Sequence, residues 1–234
     1  LVLLLLAGGA FVASGVGGAL IGRLPPARAV QLGVALEIVG VLGFGVFAST
    51  DFGWVSIAPF LFVYGVGVGL ATAQLTGVIM VDVPMEKTGQ GSGSQSTVRQ
   101  VGSALGIAVI GTMLFTGTSV SLENRLGSSE LESGQRSAIV DAVVDSAGSA
   151  IPGLAAGLQD QQVQPAQAEQ IQAEAGEAFA DGARFAAYAA GAFLVLGLAT
   201  TFRLGGSASR KLAEAQPTTS PEEAMRRVGL IGGM

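Results

Sequence analysis

The sequence predicts an all-α fold: a polytopic transmembrane helix bundle. Five long apolar blocks follow one another along the 234 residues, at about 1–22, 29–49, 54–81, 99–117 and 184–204. A hydrocarbon core about 30 Å thick needs roughly 20 helical residues, and each block is close to that length. The apolar residues run continuously instead of alternating with polar ones, which favours helices over the strands of a membrane barrel.

The composition supports a membrane protein and limits the chemistry that the chain can perform. Hydrophobic residues make up 50% of the chain and charged residues 12%, about half of the charged share that is usual in soluble domains. The absence of Cys and His excludes disulfides, thiolate or imidazole metal sites and histidine acid–base catalysis. Proton chemistry must therefore use carboxylates. We expect no enzyme, no catalytic residue, no metal or other cofactor and no nucleic-acid partner.

The first block predicts that the chain is the C-terminal part of a longer protein. The chain starts at Leu1 within the apolar run LVLLLL, with no basic region or small-residue cleavage site ahead of it. The missing N-terminal half is thus an expected partner, together with the lipid bilayer.

The basic residues predict the orientation of the helices in the membrane. If each block crosses once, nine Lys and Arg residues share one side, and the other side has only Arg125, Arg136 and Arg184. The positive-inside rule places the richer side in the cytoplasm. We therefore expect a multi-pass plasma-membrane protein with an extracytoplasmic segment at 118–183 and a cytoplasmic tail at 205–234.

The long segment 118–183 is expected to be partly helical. Within SAIVDAVVDSAGSA at 137–150, the residues Ile139, Val140, Val143 and Val144 fall on one face of a helix. Two interpretations stay open: a solvated, partly disordered loop, and a helical hairpin that lies on the outer mouth of the bundle.

Glycines recur within the apolar blocks, for example at Gly65, Gly67 and Gly69, and at Gly102 and Gly106. Small residues let helices approach closely in lipid, so close packing is the simplest interpretation. The alternative is that these helix surfaces bend and slide during a change of access.

Glu37 is the first candidate for a functional side chain. It lies well inside the second block, in LGVALEIVGVLG, with no basic residue nearby in the sequence. A carboxylate in the middle of a spanning helix costs about 2.5–3.5 kcal/mol, so by default it faces an interior cavity, where it can bind a proton or a cation. The alternatives are a structural, hydrogen-bonded Glu and a side chain that reaches the cytoplasmic interface. In the third block, Gln74 and Thr76 are candidates for lining the same cavity.

Two charged residues flank the cytoplasmic loop between the third and fourth blocks. Asp82 precedes Pro84, which ends the third helix, and Arg99 stands at the start of the fourth block. Arg99 is a candidate partner for Asp82 or Glu86 in an inner gate. Alternatively, Asp82 only anchors the helix end and Arg99 only sets the orientation.

Three stretches carry a resemblance to a known family: GQGSG at 89–93, QVGSALGIA at 100–108, and FADGARFAAYAAGAFLVLG in the last block. Together with the helix before them, they resemble the fourteen-helix drug:proton antiporter branch of the major facilitator superfamily. The resemblance implies that the five blocks are the last five helices of an exporter that works by alternating access. The implied substrates are protons and small hydrophobic or cationic drugs. Export of a lipid or secondary metabolite, and a non-transporting subunit whose outer loop binds a partner, are the alternatives.

The loop GALIGRLPPAR resembles the second-half copy of a cytoplasmic motif of that family. Arg23 matches the motif's arginine, which makes it a third inner-gate candidate, and Arg28 matches its distal basic residue. Gly22 stands where the motif has an Asp, and this departure weakens the conformational lock that the motif provides.

Overall fold

The computed structural model describes residues 2–20, 25–48, 54–80, 83–127, 129 and 131–215, and all regular elements within these ranges are helical. Three-residue 3₁₀ turns at Met85–Lys87 and Ile151–Gly153 precede α4 and α6. The helices are α1 (Val2–Leu20), α2 (Pro26–Phe47), α3 (Trp54–Met80), α4 (Thr88–Leu126), α5 (Ser133–Asp145), α6 (Leu154–Asp160) and α7 (Pro165–Ala215).

Four of these helices are long and apolar enough to cross a membrane: α2, α3, α4 and α7. The described side chains of α1 include the apolar stretch Leu4–Ala13, which is shorter than a full span, so its crossing stays a prediction. The all-α, multi-pass fold is confirmed.

Helix α3 packs between α1 and α2, and its glycines make both contacts close. A Cβ added to Gly69 would lie 2.7 Å from the carbonyl oxygen of Ala10 in α1, and one added to Gly67 would lie 2.6 Å from that of Gly33 in α2. Real Cβ atoms do not approach oxygen so closely, so these positions accept only glycine at the present helix separation. The packing interpretation is confirmed for Gly67 and Gly69.

Helices α4 and α7 are much longer than a bilayer requires. With 39 and 51 residues, they measure about 58 and 76 Å at 1.5 Å per residue. They begin at Thr88 and Pro165, well before the predicted spans 99–117 and 184–204. Apolar content predicts only the part of a helix that lies in lipid. The C-terminal end of α4 and the N-terminal end of α7 continue as helix where α5 and α6 pack on them.

The ends of α4 and α7 form a folded unit with α5 and α6, which we call the cap (the described residues of 118–183). Its core includes Leu122 of α4 and Val143 of α5, both 0% exposed, together with Ile171 of α7. Of the predicted apolar face at 137–150, Ile139, Val140 and Val143 are buried. Among the described residues, the segment is thus packed helix instead of a solvated loop.

An ion-pair cluster joins the two long helices at the base of the cap. Arg125 of α4 contacts three carboxylates of α7: Glu174 at 3.1 Å, Glu177 at 3.2 Å and Asp181 at 3.0 Å. Asp181 also accepts a hydrogen bond from the Ser121 hydroxyl at 2.9 Å. Partial burial alone would raise the pKa of Asp181, but the hydrogen bonds from Arg125 and Ser121 and the nearby Arg charges outweigh it and hold this pKa below its usual value.

Candidate functional site

Two adjoining cavities lie inside the membrane bundle, with volumes of about 360 and 460 Å³. Both are bordered by Val41 of α2, Tyr64 of α3, Ile110 of α4 and Ala190 of α7, so residues from four helices meet at this point. The remaining border is almost entirely apolar and includes Phe44, Leu114, Phe179 and Ala183 around the first cavity and Leu105, Val109, Phe193 and Leu194 around the second.

Glu37 lines neither cavity but lies close to them, on the side of α2 that faces α3. It is half-buried and stands one helical turn before Val41. A Cβ added to Gly67 would lie 2.9 Å from Cγ of Glu37, so the glutamate side chain passes directly over this glycine. The missing side chain at Gly67 therefore makes the space that Glu37 occupies between the helices.

Tyr64 is a site residue that the sequence analysis missed. It precedes Gly67 by three positions, which places the two on the same side of α3, and it borders both cavities. A Cβ added to Gly40, three residues after Glu37, would lie 2.6 Å from Cβ of Tyr64, so Tyr64 packs on the turn of α2 that follows Glu37. A tyrosine within the glycine-containing run FVYGVGVG was the available signal, because a buried hydroxyl requires a polar neighbour.

The other two substrate candidates lie further along α3. Gln74 is half-buried and Thr76 is exposed, and neither is among the described residues that border the two cavities. Oγ1 of Thr76 accepts a hydrogen bond from Nε2 of Gln95 in α4 at 3.3 Å. This contact joins the end of α3 to the beginning of α4, about 13 Å along the helix from Gly67.

Of the inner-gate candidates, only Arg99 belongs to the part of the chain that the structure describes. It is exposed on α4, and Glu86, its alternative partner, is exposed in the turn before that helix. Arg23 and Asp82 lie outside the described residues. The proposed gate thus stays a prediction.

Beyond the hydrogen bond of Gln95, much of the first half of α4 is not covered by other described helices. Residues 96–109 are exposed, and a Cβ added to Gly102 or Gly106 would meet no atom within 4 Å. Among the described residues nothing packs against these two glycines, which border the second cavity, so the packing interpretation stays a prediction for them. Their spacing predicts a smooth helix face that allows close approach but does not identify the partner.

Helices of membrane length around apolar cavities, with a half-buried carboxylate close by, define a multi-pass membrane protein. Residues 1–107, a little under half of the chain, match the model of the Major Facilitator Superfamily.

Two curated proteins are similar to the chain, both called "Multidrug resistance protein Stp", from Mycobacterium tuberculosis strains CDC 1551 / Oshkosh and ATCC 25618 / H37Rv. Each is 37% identical over 83 residues, which cover 36% of this chain and 16% of the relative. No solved structure gives a significant match. The resemblance to a transporter of the major facilitator superfamily is confirmed.

Proposed function

We propose that the protein exports a small hydrophobic or cationic compound in exchange for protons, by alternating access. The superfamily match and the similarity to multidrug resistance proteins support transport. In this proposal an N-terminal half of the same polypeptide closes the other side of the binding space. The protein lies in the plasma membrane, with the cap outside and the C-terminus in the cytoplasm, as the distribution of basic residues favours.

The observation that carries the proposal is the position of Glu37 beside the two cavities. Glu37 takes part in none of the ion pairs found among the described residues, and no Lys or Arg is among the described residues that line the cavities. A carboxylate away from water and without a basic neighbour is costly as an anion, so it binds either a proton or a cation. Because the two ligands compete for one group, each displaces the other, which is the chemical requirement for exchange.

The walls of the cavities favour a hydrophobic body for the transported compound. Their volumes lie at the lower end of the range of about 300–1,000 Å³ that is usual for ligand sites. Tyr64, Phe44 and Phe193 supply aromatic faces, which also attract cations. In the proposal, Gln74 and Thr76 offer polar contacts nearer the end of α3.

The freedom of α4 supports a change of access. Because Gly102 and Gly106 have open space in front of them, α4 can move towards the cavity without a steric clash at these positions. Movement of this face would close the second cavity, and Arg99 with Arg23 and Asp82 would then form the inner gate in the proposal.

The experiment that tests the proposal replaces Glu37 by Gln in the intact protein. Proteoliposomes with a clamped membrane potential are given a pH gradient, and accumulation of tetraphenylphosphonium in the acidic compartment is measured. We expect Glu37→Gln to reduce gradient-driven accumulation by at least about tenfold, since the amide keeps the shape of the side chain but takes up no proton. The matched control is Glu123→Gln, at an exposed position of the cap, which should transport normally. Unchanged proton-driven transport by Glu37→Gln would refute the assignment.

A further inference from the structure

The cap contains a third cavity, separate from the membrane bundle and without a role in the proposed exchange. Its volume is about 510 Å³, and it lies between α5 and the α6 region. Its floor includes Leu131, Ile139 and Leu158, which are also buried members of the cap core. The cavity therefore extends from the surface of the cap down to its hydrophobic core.

The walls of this cap cavity leave room for a ligand because small residues line them. On α5, Gly134, Ala138 and Ala142 are spaced by four residues and share one face. On the other side, Gly157 of α6 borders the cavity, and a Cβ added to Gly157 or Gly134 would meet no atom within 4 Å. The space is thus real volume between two helices and is not filled by neighbouring side chains.

The charges around the cap cavity select the ligand class. None of the described residues that line it is charged. Asp141 lies on α5 next to the lining residue Ala142, and Asp160 lies at the end of α6 next to the lining residue Gln161, so both exposed carboxylates stand close to the edge of the cavity. Arg136, next to the lining residue Gln135, donates a hydrogen bond from Nη2 to the carbonyl oxygen of Leu131 at 3.3 Å. Residues 118–183 contain ten acidic residues against two Arg, so negative charge still predominates around the cavity. An apolar floor below an acidic rim fits a hydrophobic cation.

We propose that the cap cavity is a second binding site, specific for hydrophobic monocations and separate from the membrane cavities. The apolar floor removes the body of the ligand from water, and the carboxylates at the rim attract its positive charge. This site does not require that the membrane cavities transport the same compound.

The test counts binding sites for rhodamine 6G, a hydrophobic monocation, on the intact protein in nanodiscs by equilibrium dialysis, with empty nanodiscs subtracted. Gly157→Leu fills the cavity, and leucine suits a helix better than glycine, so α6 should still form. We expect this variant to lose one site per chain. Ala156→Leu, at the neighbouring exposed position outside the cavity lining, is the matched control and should keep the site. An unchanged site count in Gly157→Leu, or an equal loss in the control, would overturn the proposal.

Two further variants separate this site from the proposed exchange site and test its charge. Ala190→Trp fills both membrane cavities, so it should remove only a site in the membrane. If Gly157→Leu alone removes a site, the cap site stands and the membrane site fails.

Asp141→Asn with Asp160→Asn should weaken rhodamine 6G binding at the cap by about three- to tenfold and leave binding of the neutral dye Nile red unchanged. Equal effects on both dyes would contradict recognition of the cation.

Discussion

Replacement of Arg125 by Gln tests how the cap is held on the membrane bundle. The Arg125 side chain is 30% exposed, and its guanidinium contacts Glu174, Glu177 and Asp181 of α7 at 3.0–3.2 Å. Without it, these carboxylates repel one another, and the contact between α4 and α7 at the base of the cap is weakened.

The magnitude follows from this partial burial. Exposed ion pairs contribute about 0.2–1 kcal/mol each, and loss of one partner from a fully buried pair costs about 3–5 kcal/mol. For three ion pairs at intermediate exposure, we expect the loss of Arg125 to lower the free energy of opening the cap by about 2 kcal/mol. Since about 1.4 kcal/mol corresponds to a tenfold change, amide hydrogen exchange in α5 and α6 should become about 30-fold faster.

Hydrogen exchange followed by mass spectrometry on the intact protein measures this effect peptide by peptide. Arg184→Gln is the graded control, because Arg184 forms an ion pair only with Asp181 among the described pairs, at 3.2 Å. This variant should accelerate exchange less than about fivefold. If the exchange rates of α5 and α6 in Arg125→Gln stay within twofold of those in the unmodified protein, the stabilising role of the cluster is refuted.

Three further predictions concern pH and packing. Because the pKa of Asp181 is lower in the folded cap than in the unfolded chain, its stabilising effect is complete above about pH 4 and is lost as the pH falls towards the folded pKa. Amide hydrogen exchange in the cap, corrected for the intrinsic exchange rate, should therefore accelerate below about pH 4. Asp181→Asn should reduce this acceleration. Gly67→Leu should lower the melting temperature of the bundle because its side chain would overlap α2, whereas Gly106→Leu, with open space around it, should not; equal melting temperatures would contradict the packing account. Val143→Ala in the cap core, where Val143 is 0% exposed, should cost about 1–3 kcal/mol, measured as faster exchange in α5.

The sequence predicts those parts of the architecture that depend on the local pattern of apolar residues. Continuous apolar blocks predict the membrane helices, and the spacing of Ile139, Val140 and Val143 predicts the buried face of α5. Both follow from the hydrophobic effect acting on a regular helix. Glu37 could be selected for the same reason, since an isolated carboxylate in an apolar run is costly wherever the other helices lie.

Contacts between distant parts of the chain could not be predicted in this way. The partners of Arg125 lie 49–56 residues further along the chain, and no local spacing indicates them. Tyr64 became a site residue only when α2, α4 and α7 were placed around α3. Gly102 and Gly106 show the same limit, because a smooth helix face predicts that close approach is possible and not that it occurs.

In the proposed function the protein couples the movement of a cation to the movement of protons. Measurement of proton flux driven by a cation gradient tests this coupling most directly. Proteoliposomes that contain the intact protein are loaded with tetraphenylphosphonium and the pH dye pyranine, with equal pH on both sides and the membrane potential clamped by K⁺ and valinomycin. When these proteoliposomes are diluted, we expect the lumen to become acidic as the cation leaves, and we expect Glu37→Gln to abolish this acidification. Exit of the cation through the protein with no change in luminal pH would contradict proton exchange.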